Sequence, residues 1–105
     1  MKPSMSQAEA EWLLAECRRK IDGLDVELRA LINQRAAIVE DVVRAKQVLA
    51  MPILETRREE EVIRRVTAGN PGPLPSDAFQ RIFETVMKEM RQLQQMYLDR
   101  QEKPK

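Results

Sequence analysis

The sequence predicts an all-α protein, and three observations carry that expectation. No stretch of the 105 residues alternates apolar and polar with period two, whereas three stretches repeat apolar residues at steps of three and four. The chain-breaking residues gather between those stretches, with Pro52 after the first and "GNPGPLP", residues 69–75, after the second. Glycine is scarce elsewhere, so helices can run long without interruption.

The first element is expected from Ser6 to about Leu49, opening with a capping box of Ser6 and Glu9 and ending at Pro52. Its seam reads Ile21, Leu24, Leu28, Leu31, Arg35, Ile38, Val42, Ala45, Leu49, in alternating steps of three and four. Gly23 is its weak position, costing about 0.5–1 kcal/mol relative to Ala. A second helix is expected from about Ile53 to Ala68, with Gly69 as a left-handed cap. The third starts after Ser76 as N-cap and runs to about Gln101 on the stripe Phe79, Ile82, Phe83, Val86, Met87, Met90, Leu93, Tyr97. Residues 1–105 read as a single domain, flexible at 1–6 and 102–105.

Length then bears on assembly. About 43 residues at 1.5 Å rise make a rod of roughly 65 Å, whereas a compact chain of this size has a radius of gyration near 13 Å. Two shorter helices cover only part of such a rod, and a second copy related by a two-fold axis is the economical cover. A helical homodimer is therefore expected.

Composition narrows the chemistry. With 18 Lys plus Arg against 17 Asp plus Glu, no global field favours nucleic acid or an anionic membrane. No apolar run suits a signal peptide or a membrane span, which gives a cytoplasmic expectation. Cys17 is the sole cysteine and is expected to be a buried or half-buried structural thiol. There is no histidine, which removes the usual general base, the Ser–His and Cys–His pairs, and the commonest zinc ligand. No metal or cofactor is implied.

Polar residues interrupt the apolar stripes of all three helices. Arg35 and Lys46, eleven residues apart, fall within about 20° of one another on the first helix. They either snorkel to solvent at a core edge or grip a small anion between them. Extending the Val62, Ile63, Val66 stripe of the second helix backwards meets Glu59, Arg58 and Glu55, which otherwise read as a solvated first turn favoured by the helix dipole. Gln94 sits on the third stripe between Met90 and Tyr97, where a neutral amide is either a ligand donor or a buried plug. An anionic small molecule would supply the counter-charge that buried cations need.

These residues carry a resemblance. The segments "CRRKIDGLDVELRALINQRAAIVEDVVRAK" and "PILETRREEEVIRRV", with a final helix ending "MRQLQQ", resemble the all-helical (type II) chorismate mutases from about Arg18 to Gln95. The elements are R-x-x-I-D-x-L-D, a later Q-R, A-K eleven residues on, P-I opening the next segment, and R-E after it. The resemblance implies an intertwined helical dimer whose sites are built mainly by one chain, with Arg18 contributed by the other. At about 25 Å from Arg35 along the same helix, Arg18 does not reach its own chain's pocket.

The resemblance further implies that Arg18 and Arg35 bind the two carboxylates of chorismate. Lys46 would contact a carboxylate and the ether oxygen of the breaking bond, and Gln94 would be the second donor to that oxygen. Glu59 would accept a hydrogen bond from the ring hydroxyl, with Arg58 and Glu55 in support. Met90 stands where a serine often holds a carboxylate, and Glu55 where aspartate is common. The implied reaction is the Claisen rearrangement of chorismate to prephenate in aromatic amino acid biosynthesis, which needs no cofactor and is compatible with a chain lacking histidine. Alternatives are an isochorismate pyruvate-lyase, similar in fold, and a non-catalytic helical dimerisation module. A partner enzyme of the shikimate pathway is a further expectation on the same ground.

Overall fold

The computed structural model describes residues 4–102. Three α-helices follow in order, α1 over Gln7–Leu49, α2 over Thr56–Thr67 and α3 over Ser76–Glu102, with no strand among the described residues. The all-α expectation holds. The expected flexible ends fall mostly outside the described residues. None of the described helices is long and apolar enough to cross a membrane. By internal contacts the chain divides into two units, Met1–Arg35 and Ala36–Lys105, with α1 running through the boundary.

In the first unit α1 begins as the sequence predicts, with the Glu9 backbone N–H donating to Ser6 Oγ at 3.1 Å. Trp12, Leu13, Leu14, Ile21, Leu24, Leu28 and Leu31 are all exposed, Trp12 at 66%. Cys17 is also exposed, contrary to the expectation of a buried thiol, and shares that exposure with the apolar residues around it on this length of helix.

The second unit contains the core. Val39 and Val43 of α1 pack with Met90 of α3, flanked by Ala36, Val86, Leu93, Tyr97 and Leu98. The buried line on α1 is thus Val39, Val43, Lys46, rotated by one residue from the predicted seam. Ile38, Val42 and Leu49 of that seam remain exposed. A helix with two adjacent apolar lines gives one to its own α3 and leaves the other uncovered, and periodicity cannot rank the two. On α3 the predicted stripe is buried or half-buried except for Ile82. Helix α2 packs on α3, burying Val62.

The turn from α1 to α2 has a purpose. Ala50 takes φ 54°, its N–H reaching Gln47 O at 3.3 Å while the Met51 N–H bonds Lys46 O at 2.9 Å. This is a Schellman ending with alanine where glycine is usual. Helix α2 starts at Thr56, three residues later than the predicted Ile53. Ile53 and Glu55 are instead drawn to the Lys46 side chain, and Glu55, at the N-cap position, makes no side-chain cap bond.

Asn70 organises the α2–α3 connection. Its Nδ2 donates to Leu74 O at 2.8 Å and Ser76 Oγ at 3.2 Å, and its Oδ1 accepts from the Gly72 N–H at 3.2 Å. Gly69 and Gly72, at φ 69° and 74°, supply the left-handed conformations that a side chain disfavours. Ser76 lies inside α3 rather than capping it: Pro75 O accepts from the N–H groups of Ala78 and Phe79. At this end of α3 the Asp77 carboxyl is held below the usual carboxylate range by its hydrogen bond to Arg81 and that residue's charge.

Candidate active site

Lys46 is the centre of the polar cluster in the second unit. It is 8% exposed, and its ammonium reaches Ile53 O at 2.7 Å, Gln94 Oε1 at 3.0 Å and Glu55 Oε1 at 3.0 Å. Three donors meet three acceptors, so the buried charge is fully satisfied. Two helices and the turn between α1 and α2 contribute: α1 presents Lys46 on its buried line, the turn after Ala50 brings Ile53 and Glu55, and α3 brings Gln94. Snorkelling to solvent does not describe Lys46.

Gln94 is equally buried, and its carbonyl oxygen is committed to Lys46. Among the described residues its amide NH2 has no acceptor, and no fully buried side-chain polar atom is left without a partner. An accessible N–H pair beside a buried ammonium is a ready donor pair for an oxygen that gains negative charge.

One turn further along α2, Glu59 receives Arg91 of α3. Arg91 Nη1 lies 2.5 Å from both carboxylate oxygens, and both side chains are about three-quarters buried. The sequence reading missed Arg91. The signal was its place three residues before Gln94, on the same side of α3. Arg58, expected to support Glu59, instead pairs with Glu61 at 2.6 Å on the half-exposed side of α2. A three-residue step on one helix costs that pair nothing, whereas Glu59 already has the better-buried partner. Met90 packs in the apolar core with Val39 and Val43.

Arg18 and Arg35 belong to the first unit, Arg18 exposed and Arg35 half-buried. Among the described residues neither forms an ion pair. No three His, Cys, Asp or Glu side chains among the described residues converge as a metal site.

Two spaces lie near these groups. Beside Lys46 and Gln94 is a gap of about 30 Å³, walled by Val43, Met51, Ile53 and Leu98, large enough to admit water. A larger cleft of about 420 Å³ lies between α2 and α3, lined by Leu54, Glu59, Glu60, Ile63, Arg64 and Glu84 among others. Glu59 is the member of the polar cluster that also faces it.

Residues 17–95 match the family described as chorismate mutase type II. The chain belongs to that family. It is 36% identical over 85 residues to a bifunctional chorismate mutase/prephenate dehydratase of Neisseria gonorrhoeae, covering 81% of this chain and 23% of the relative. The chain thus spans about a quarter of such a bifunctional relative. A chorismate mutase of Methanocaldococcus jannaschii is 30% identical over 82% of this chain and 88% of its own. Among solved structures, chorismate mutase from Helicobacter pylori in complex with prephenate is similar with a TM-score of 0.76 and 30% identity, covering 83% of this chain and 94% of that one. Form II of the Thermus thermophilus chorismate mutase gives a TM-score of 0.74 at 28% identity, over 78% of this chain and 93% of that one. The cluster of Lys46, Glu55, Glu59 and Gln94 lies wholly inside the segment that matches the chorismate mutase family.

Proposed function

We propose that this chain is a chorismate mutase that rearranges chorismate to prephenate, a step toward phenylalanine and tyrosine. The observation that carries the reading is the buried Lys46–Gln94 pair at 3.0 Å, with an unspent amide NH2 beside an ammonium on a side chain about nine-tenths buried. The reaction is intramolecular. Its C–O bond breaks ahead of C–C bond formation, so negative charge grows on the ether oxygen, and no proton transfer, nucleophile or metal is required. A protein accelerates it by holding the folded conformer and by placing donors where that charge appears.

Lys46 would exchange one of its three present acceptors for the ether oxygen, and Gln94 would donate its NH2 to the same atom. Glu59 accepts the hydrogen bond from the ring hydroxyl. Arg35 and, in an intertwined homodimer, Arg18 of the partner subunit clamp the two carboxylates. Both arginines are without an ion-pair partner among the described residues, which supports that use. The uncovered apolar line of the first unit supports the dimer. Arg58 is balanced by Glu61, so Lys46, Arg35, Arg91 and Arg18 of the partner subunit stand against Glu55 and Glu59, leaving a surplus of two for a dianion.

We place the enzyme in the cytoplasm, where its substrate chemistry belongs, and a partner enzyme that supplies chorismate or uses prephenate fits the fused arrangement of the bifunctional relatives. The test is to incubate purified protein with chorismate and, separately, with isochorismate. Prephenate from the first and no pyruvate from the second supports the mutase. Pyruvate from isochorismate without prephenate from chorismate overturns it in favour of a lyase.

A further inference from the structure

We propose that Arg91 is a positioning residue for this reaction, neutralising Glu59 and fixing its carboxylate so that it receives the ring hydroxyl without repelling a dianionic substrate. The inference rests on the mutase reading and adds a residue that neither the sequence pattern nor the family resemblance supplied.

The polar contacts of this cluster form two rungs. In the first, Glu55 and Gln94 meet Lys46. In the second, one turn along each helix, Glu59 meets Arg91. A carboxylate in the second rung faces a difficulty that follows from charge alone. An unpaired negative charge close to a dianion opposes its binding, and in a partly buried site water screens that repulsion weakly. Arg91 answers it from inside the protein. Its Nη1 lies equally close, at 2.5 Å, to both Glu59 oxygens, which holds the carboxylate head in place. Each carboxylate oxygen has two lone pairs, so one bridging N–H group leaves acceptor capacity for a hydroxyl. The remaining Arg91 N–H groups bond to none of the described residues and are free to face an anion. Glu59 also lines the cleft of about 420 Å³ between α2 and α3.

The test is a double-mutant cycle on full-length protein, with kcat and KM for chorismate read separately and folding followed by circular dichroism. Arg91→Met should raise KM about tenfold or more by exposing the substrate to an unpaired Glu59, and should lower kcat as the carboxylate head loses its fixed position. Arg91→Lys, which keeps the charge, should recover most of the KM. In a Glu59→Gln background the KM penalty of Arg91→Met should shrink to about twofold or less, because nothing charged remains to be neutralised. Should Arg91→Met fail to fold, Arg91→Gln takes its place in the same cycle. Kinetics within twofold of wild type for Arg91→Met, or a KM penalty undiminished by Glu59→Gln, overturns the inference while leaving the mutase reading intact. A wild-type protein that forms no prephenate overturns both.

Discussion

On the proposed mutase reading, replacing Gln94 by glutamate should make turnover depend on mild acid. Gln94 Oε1 already accepts from Lys46, so the amide NH2 is the part that would serve the substrate. Gln94→Glu exchanges that donor for an oxygen. Ionised, the introduced carboxylate donates nothing and stands no more than about 6 Å from the Glu55 carboxylate, since each lies 3.0 Å from the same Nζ. At that distance two like charges repel by about 3 kcal/mol with an effective dielectric of 20, partly offset by Lys46 between them. Loss of the donor costs a further ~2.7–4 kcal/mol of transition-state stabilisation, about 10²–10³ in kcat. Protonation restores an O–H donor at nearly the same place. Burial and Glu55 raise the introduced carboxyl's pKa, while Lys46 lowers it, so the variant titrates in the acid range with its active form on the low-pH side. The assay is chorismate turnover from pH 4 to 8 for both proteins. The variant's kcat should rise as pH falls while that of the wild type stays level. Equal pH profiles, or a variant most active at high pH, would refute the assignment of Gln94 as a donor.

Three further outcomes are expected. Mixing inactive Arg18→Ala and Arg35→Ala proteins after dissociation should restore about a quarter of wild-type activity, because half of randomly formed dimers are mixed and each holds one intact site; no recovery would remove Arg18 from the partner's site. Ala50→Gly should raise stability by about 0.5–1 kcal/mol, moving Tm up several degrees, by relieving the left-handed φ of 54°, and an unchanged or lowered Tm would show that the turn carries no such strain. Sedimentation at micromolar concentration should give a dimer, and a folded monomer would leave the exposed line from Trp12 to Leu31 unexplained.

The helices were legible in the sequence because their signals are local. Ser6 with Glu9, Pro52 and the Asn70–Pro75 stretch mark ends by chain chemistry alone, and α1 and α3 end within a residue of their expected bounds. The start of α2 was not legible, since Ile53 and Glu55 leave the helix for a lysine on another element. The choice of buried line on α1 was equally hidden: Val39 and Ile38 are alike as apolar residues, and only docking of α3 buries one and leaves the other bare. Lys46, Glu55, Glu59 and Gln94 stood out as polar residues on apolar stripes. Arg91 did not, because it sits beside its stripe, and its meaning comes from Glu59 across a 32-residue separation.

The most direct measurement is the initial rate of prephenate formation from chorismate by wild-type protein and by Lys46→Ala under the same conditions. The wild type should form prephenate, and removing the buried ammonium should slow it at least about 10²–10³-fold, the cost of losing a charge-stabilising donor. No prephenate from the wild type, or near-full turnover by a folded Lys46→Ala variant, would contradict the claim that Lys46 meets the charge on the breaking bond.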